Sequence, residues 1–264
     1  LALTLHGDLD VSQLDELPPG RTPINTQLIS PKDKQYAYDL IRNEIHKGHQ
    51  IYVVLPLIEE SEKLELSAAV EVHHHLSTEI FADYTVELLH GKMKSLEKQE
   101  VIQKFLTRNI DILVSTTVIE VGVDVPNASV MLIEDSDRFG LSQLHQLRGR
   151  VGRGASKSYC LLSHQNKNKL SQQRLDVLVN SNDGFEIAEI DLRFRGPGQV
   201  LGTKQSGLPD FALASLAEDS DVLELARAEA RKLLDSDPQL TNNTMLRMLI
   251  KEQWDKLKIG NKLN

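Results

Sequence analysis

Between residues 30 and 163 the chain alternates between two hydrophobic periods. Tyr38, Ile41 and Ile45 recur at helical spacing behind Ser30-Pro31-Lys32-Asp33, which offers an N-cap, a proline at the first helical position and an acid in the first turn; Gly48 supplies the stop. Ile51-Tyr52-Val53-Val54-Leu55-Pro56-Leu57 is continuously apolar and suits a strand buried on both faces. A helix from about Lys63 to Leu76 leads to a strand at Val86–Leu89, a helix after Ser95 and a strand at Ile110–Val114. A strand at Ala128–Ile133, a helix beginning near Gly140 and a strand at Ser158–Leu162 complete the series. Strands and helices alternating in this way predict an α/β fold, a parallel sheet sandwiched by helices, whose ligands collect at the carboxyl ends of the strands.

After about Ser163 the alternation stops. Helical patterns cover 167–179, 185–194, 211–217, 219–235 and 243–257, and a loop with four glycines and a proline, Arg195 to Gly207, separates the second from the third. The α/β part is thus followed by a smaller, mainly helical module. Residues 1–25 start apolar and run into Leu17-Pro18-Pro19-Gly20-Arg21, a composition that suits the remnant of a linker in something longer.

Composition narrows the class. In 264 residues, 40% hydrophobic and 26% charged, no apolar run reaches the length of a membrane span and no secretory signal pattern opens the chain, so a cytoplasmic protein is expected. A single cysteine, Cys160, cannot form an internal disulfide, and its apolar neighbours predict a buried structural thiol. His73-His74-His75 does not suggest a metal site, because consecutive helical residues point about 100° apart; a solvated helix face is expected.

Charge is the informative departure. The net formal charge is -8, and seven acids oppose three bases between Glu218 and Asp237. From Arg138 to Lys157, however, Arg138, Arg148, Arg150, Arg153 and Lys157 meet no Asp or Glu. Such a reversal calls for an anion. Arginine presents a permanently charged planar fork, and Gly149 and Gly152 remove side chains that would keep a phosphate from the backbone.

The order Gln146-x-x-Gly149-Arg150-x-Gly152-Arg153 resembles the last conserved motif of superfamily 2 helicases. The resemblance implies a RecA-like lobe, the second of two, with Arg150 and Arg153 as arginine fingers reaching ATP held mostly by the first lobe, and Gln146 coupling nucleotide to lobe closure. Ser115-Thr116-Thr117 through Gly122-Val123-Asp124-Val125-Pro126 is similar to another element of these enzymes. That similarity implies that Thr116 or Thr117 touches the nucleic-acid backbone and that Gly122 and Asp124 face the nucleotide. Leu89-His90-Gly91-Lys92 resembles the fourth motif region, which would bring Gly91 near a phosphate of the DNA.

The block from Asp183 to Gly207 sharpens the match. Asp191-Leu192-x-x-Arg195-Gly196-Pro197-Gly198 and Leu201-Gly202-Thr203-Lys204-Gln205-Ser206-Gly207 resemble the translocation motif of the RecG family. The resemblance implies a helical hairpin and loop that convert lobe closure into movement along DNA, with Arg195, Thr203, Lys204 and Gln205 as the residues to watch. Lys204 stands where the family is expected to carry arginine, replacing a forked contact with a point charge.

The implied organisation is 1–25 as the remnant of an interlobe linker, 26–163 as the second RecA-like lobe, and 164–264 as hairpin, translocation loop and C-terminal helices. The phosphate-binding Gly-x-x-x-x-Gly-Lys-Ser/Thr loop does not occur: Gly91-Lys92 is followed by Met93, and Thr203-Lys204 by Gln205. The resemblance places that loop, the magnesium ligands and a junction-binding wedge before Leu1. It therefore implies the carboxyl-terminal portion of an ATP-dependent translocase that remodels branched DNA, with the first lobe and wedge of the same polypeptide as partners and no ATPase activity in the fragment alone. The alternatives are another superfamily 2 motor, an RNA helicase or the transcription-repair coupling translocase, and a non-catalytic nucleic-acid-binding module.

Overall fold

A computed structural model describes residues 23–56, 62–116, 125–154, 156–165, 169–195 and 220–260. It divides into two compact units within one helix, between Asp191 and Leu192.

The first unit is built on a six-stranded sheet. Its strands are β1 (Asn25–Ile29), β2 (Gln50–Leu55), β3 (Val86–Leu89), β4 (Ile112–Thr116), β5 (Ala128–Ile133) and β6 (Tyr159–Ser163), in the order β1-β6-β5-β2-β4-β3. Every pairing is parallel. The connecting helices are α1 (Lys34–His46), α2 (Glu62–His75), α3 (Ser95–Leu106), α4 (Leu141–Arg148), α5 (Lys169–Asn180) and α6 (Gly184–Arg195).

Because side chains alternate across a strand, the apolar run of β2 feeds two cores. Ile51, Val53 and Leu55 pack with Ala37, Ile41 and Ile45 of α1 and Ala69 of α2. Tyr52 and Val54 pack with Val101 and Phe105 of α3, Leu144 and Leu147 of α4, and Leu175 and Leu178 of α5. The sheet is therefore covered on both faces, as its pattern requires.

Local chemistry adjusts several boundaries. Ser30 does not cap α1: its hydroxyl bonds the Asp33 carboxylate, and Pro31–Asp33 forms a 3-10 turn before the helix. Gly48 ends the segment at φ +83°, a conformation that glycine adopts without strain. β4 starts two residues later than its apolar pattern suggests and keeps Ser115 and Thr116 inside the sheet, both buried. β1 is missed altogether by the apolar pattern, since Asn25, Thr26 and Gln27 are polar; as an edge strand it pairs, among the described residues, with β6 alone.

The expectation for Cys160 holds. Cys160 is buried, and burial pushes its thiol up to about 12. His73–His75 close α2, with His73 bonded to the Val86 carbonyl and His75 paired with Glu79, and no three metal-ligating side chains gather among the described residues.

In the second unit, α7 (Ser220–Ser236) and α8 (Thr244–Gly260) flank a turn organised by Asp237. Its carboxylate accepts from the backbone amides of Thr241 and Asn242 and from the Thr241 hydroxyl. The expected helix at 211–217 lies outside the described residues.

Candidate nucleotide and nucleic-acid site

The arginine motif begins on α4, eight residues long and stopped by Gly149. α4 leaves the carboxyl end of β5 and returns to the amino end of β6, so Gly149–Ser158 lies along the amino ends of the strands. Two contacts fix this: the Asn25 amide donates to the Ser158 carbonyl at the start of β1, and Gly154 packs on Pro126 just before β5. The motif loops therefore do not share one edge. Thr116, ending β4, and Gly91, after β3, stand at the carboxyl ends, whereas Arg150 and Arg153 stand at the opposite end. The reason is the length of α4: a two-turn helix carries the motif back across the sheet.

The arginines of this stretch do different work. Arg148 is buried, 2% exposed. One guanidinium nitrogen donates to the carbonyls of Leu178 and Ser181, both at 2.8 Å, and to the Thr26 hydroxyl at 3.3 Å; the other donates to Nδ1 of His145 at 2.8 Å. Burial lowers its pKa below the ordinary guanidinium value. It is a structural cation, which charge counting along the sequence did not reveal. Arg150, two residues on, is half-buried, and its side chain makes no hydrogen bond or ion pair among the described residues. Arg153 donates from Nε to the Gly149 carbonyl at 3.2 Å, which curls the loop on itself. Gln146 is exposed one turn before Arg150.

At the carboxyl ends, a cavity of about 360 Å³ is lined by Lys34, Leu55, Thr116, Glu134, Arg138 and Gln165, among others. Lys34 and Glu134 form an ion pair on its wall. Thr116 is 1% exposed, and its hydroxyl has no hydrogen-bond partner among the described residues. A buried hydroxyl left unmatched costs free energy, and a ligand that accepts or donates there would recover it. Gly91 is exposed with open space around its Cα.

Thr117, Gly122, Asp124, Thr203, Lys204 and Gln205 lie outside the described residues, and Arg195 is the last residue of α6. Residues missed by sequence reasoning include His145 and Arg148, whose signal, a histidine three positions before an arginine on the buried side of α4, is visible only once α5 is packed.

Comparison with known proteins supplies the family. The helicase conserved C-terminal domain family matches residues 33–155, and the family of domain 3, C-terminal, of the ATP-dependent DNA helicase RecG matches residues 181–262. The ATP-dependent DNA helicase RecG of Synechocystis sp. is 58% identical over 97% of this chain and 31% of its own length. That of Aquifex aeolicus is 50% identical over 98% of this chain and 34% of its own. A solved structure of RecG bound to a three-way DNA junction is 45% identical over 84% of this chain and 28% of that one, with a TM-score of 0.66. The chain thus spans about a third of the length of the curated relatives it matches. On sequence identity, domain matches and the RecA-like parallel sheet together, this chain belongs to the RecG family of ATP-dependent DNA helicases.

Proposed function

We propose that this chain supplies the second RecA-like lobe (26–163) and the translocation module (164–264) of an ATP-dependent DNA helicase. Its substrate is branched DNA, forks and Holliday junctions, in cytoplasmic DNA repair and recombination. The first lobe and wedge of the same polypeptide are its partners, and residues 1–25 belong to the linker between lobes.

The observation that carries this reading is the state of Arg150. A guanidinium held half-buried on a glycine-bounded turn, with no internal partner among the described residues, is available to an anion from outside the lobe. Its surroundings fit a nucleotide phosphate: Gln146 is exposed one turn earlier, and Arg153 follows on the same loop. When bound, ATP supplies the phosphoryl group whose transfer drives the motor, with magnesium ligands in the first lobe. This chain's arginines neutralise the charge that develops on that group, and Gln146, Gly122 and Asp124 orient the nucleotide against the lobe.

DNA belongs at the other end of the sheet. Gly91 and Thr117 approach the phosphodiester backbone, and the unmatched hydroxyl of Thr116 donates a hydrogen bond to the same backbone. Movement along the duplex falls to Arg195, Thr203, Lys204 and Gln205. The separation of the two groups by the length of a strand lets lobe closure at one end be felt as displacement at the other.

The test is hydrolysis of ATP by the full-length protein with branched DNA, linear duplex or RNA added. Branched DNA should stimulate most, and Arg150→Ala should abolish the stimulated rate. Equal stimulation by RNA would redirect the assignment to another superfamily 2 motor.

A further inference from the structure

Arg148 is an anomaly as a structural residue, because its described partners are neutral: two carbonyls, a hydroxyl and an imidazole. A buried charge without a counter-charge is expensive. The fold offsets that cost by placing the guanidinium at the carboxyl end of α5. Leu178 lies in the last turn and Ser181 follows it, so their carbonyls carry the negative end of the helix dipole. The arginine makes sense if its geometry, rather than its burial, is what matters.

That geometry joins three elements to the start of the arginine loop. Nη1 grips the end of α5 and Thr26 of β1. Nη2 grips His145 on α4 itself. Since a guanidinium only donates, Nδ1 of His145 accepts, and the ring carries its proton on Nε2. Nε2 in turn lies against the first residue of α6, where a Cβ on Gly184 would come within 2.9 Å. The ends of α4 and α5 and the beginning of α6 are thereby locked together two residues before Arg150.

We infer that Arg148 is a positioning residue for the arginine fingers: by clamping the end of α4 to the α5–α6 corner, it sets where Arg150 and Arg153 stand. This rests on the finger roles proposed above. A misplacement of about 1 Å in a positioned group costs on the order of 10² in rate.

The test uses the full-length protein at a temperature where every variant remains folded by circular dichroism. Arg148→Met and His145→Leu remove the clamp and should lower kcat roughly 10- to 100-fold, with KM for ATP nearly unchanged. His145→Asn, whose Oδ1 can accept where Nδ1 did, should restore most of the rate. An Arg148→Met variant at wild-type kcat beside an inactive Arg150→Ala variant overturns the positioning role and leaves the fingers standing. Equal losses in His145→Asn and His145→Leu also overturn it, and this pair decides the matter if Arg148→Met does not fold. Wild-type turnover in Arg150→Ala sinks the finger reading itself.

Discussion

Arg148 and Arg150 are two residues apart and live in opposite environments: the first is buried with its guanidinium satisfied on both arms, the second is half-buried with no side-chain partner among the described residues. One stretch of fixed positive charge therefore divides into a cation that holds the fold and a cation held ready.

Replacing Arg150 should separate stability from activity. Arg150→Ala removes no hydrogen bond or ion pair among the described residues, so unfolding free energy should stay within about 0.5 kcal/mol of wild type. ATP turnover in the full-length protein should fall by roughly 10³ or more. Urea unfolding of the variant beside steady-state hydrolysis checks both halves.

Thr116→Val should do the reverse. The buried hydroxyl has no partner among the described residues, so an isosteric methyl removes a desolvation penalty and should raise stability by about 1 kcal/mol. If the hydroxyl meets DNA, the same change weakens stimulation of hydrolysis by branched DNA. A variant that is less stable than wild type would count against the unmatched hydroxyl.

Gly154 is a steric constraint on the same loop as Arg153. A Cβ there would stand 2.5 Å from the Pro126 carbonyl oxygen, which is backbone and cannot rotate aside. Gly154→Ala should cost roughly 1–3 kcal/mol, read as a lowered urea midpoint. An unchanged midpoint would falsify the close approach of this loop to the start of β5.

Glu44 should make stability depend on acid. Burial raises its pKa, but hydrogen bonds from Lys47, His49 and Ser129, with the charge of Lys47, outweigh burial and hold it below its ordinary value. A folded pKa below the unfolded one contributes stability above the unfolded value of about 4.5, lost as pH falls through the folded value. Glu44→Ala should cost roughly 1–3 kcal/mol at pH 7. That gap should narrow below about pH 4.5, and one that stays constant between pH 7 and pH 3 would remove this linkage.

Cys160 should be silent toward thiol reagents. With a pKa near 12, about one thiol in 10⁴ is ionised at pH 8, and burial blocks access to that fraction. Labelling by a disulfide reagent should wait for unfolding. Rapid labelling of the native chain would contradict the packing of β6.

How much was legible follows from what each signal depends on. Ala128–Ile133 matches its apolar run residue for residue, because a strand buried on both faces has almost no polar position; Val86–Leu89, an edge strand carrying Glu87, also falls on its expected bounds. β1 was invisible because an edge strand tolerates Asn25, Thr26 and Gln27, and its pairing with β6 joins residues more than 130 positions apart. Ser115 and Thr116 read as loop hydroxyls, yet they end β4, where register with Val54 and Leu55 decides their burial.

By itself, the sequence determined the alternation of strands and helices, the arginine and glycine chemistry of Gln146–Arg153, and the family whose pattern those residues follow. These depend on periodicity and on residue types close together in the chain. Only the tertiary structure decided that β1 closes the edge of the sheet, that the arginine loop and Thr116 face opposite ends of it, and that Arg148 is spent inside on the carbonyls of α5. Each is a pairing between distant segments, and pairing energy is a property of the packed chain, absent from any local run of residues.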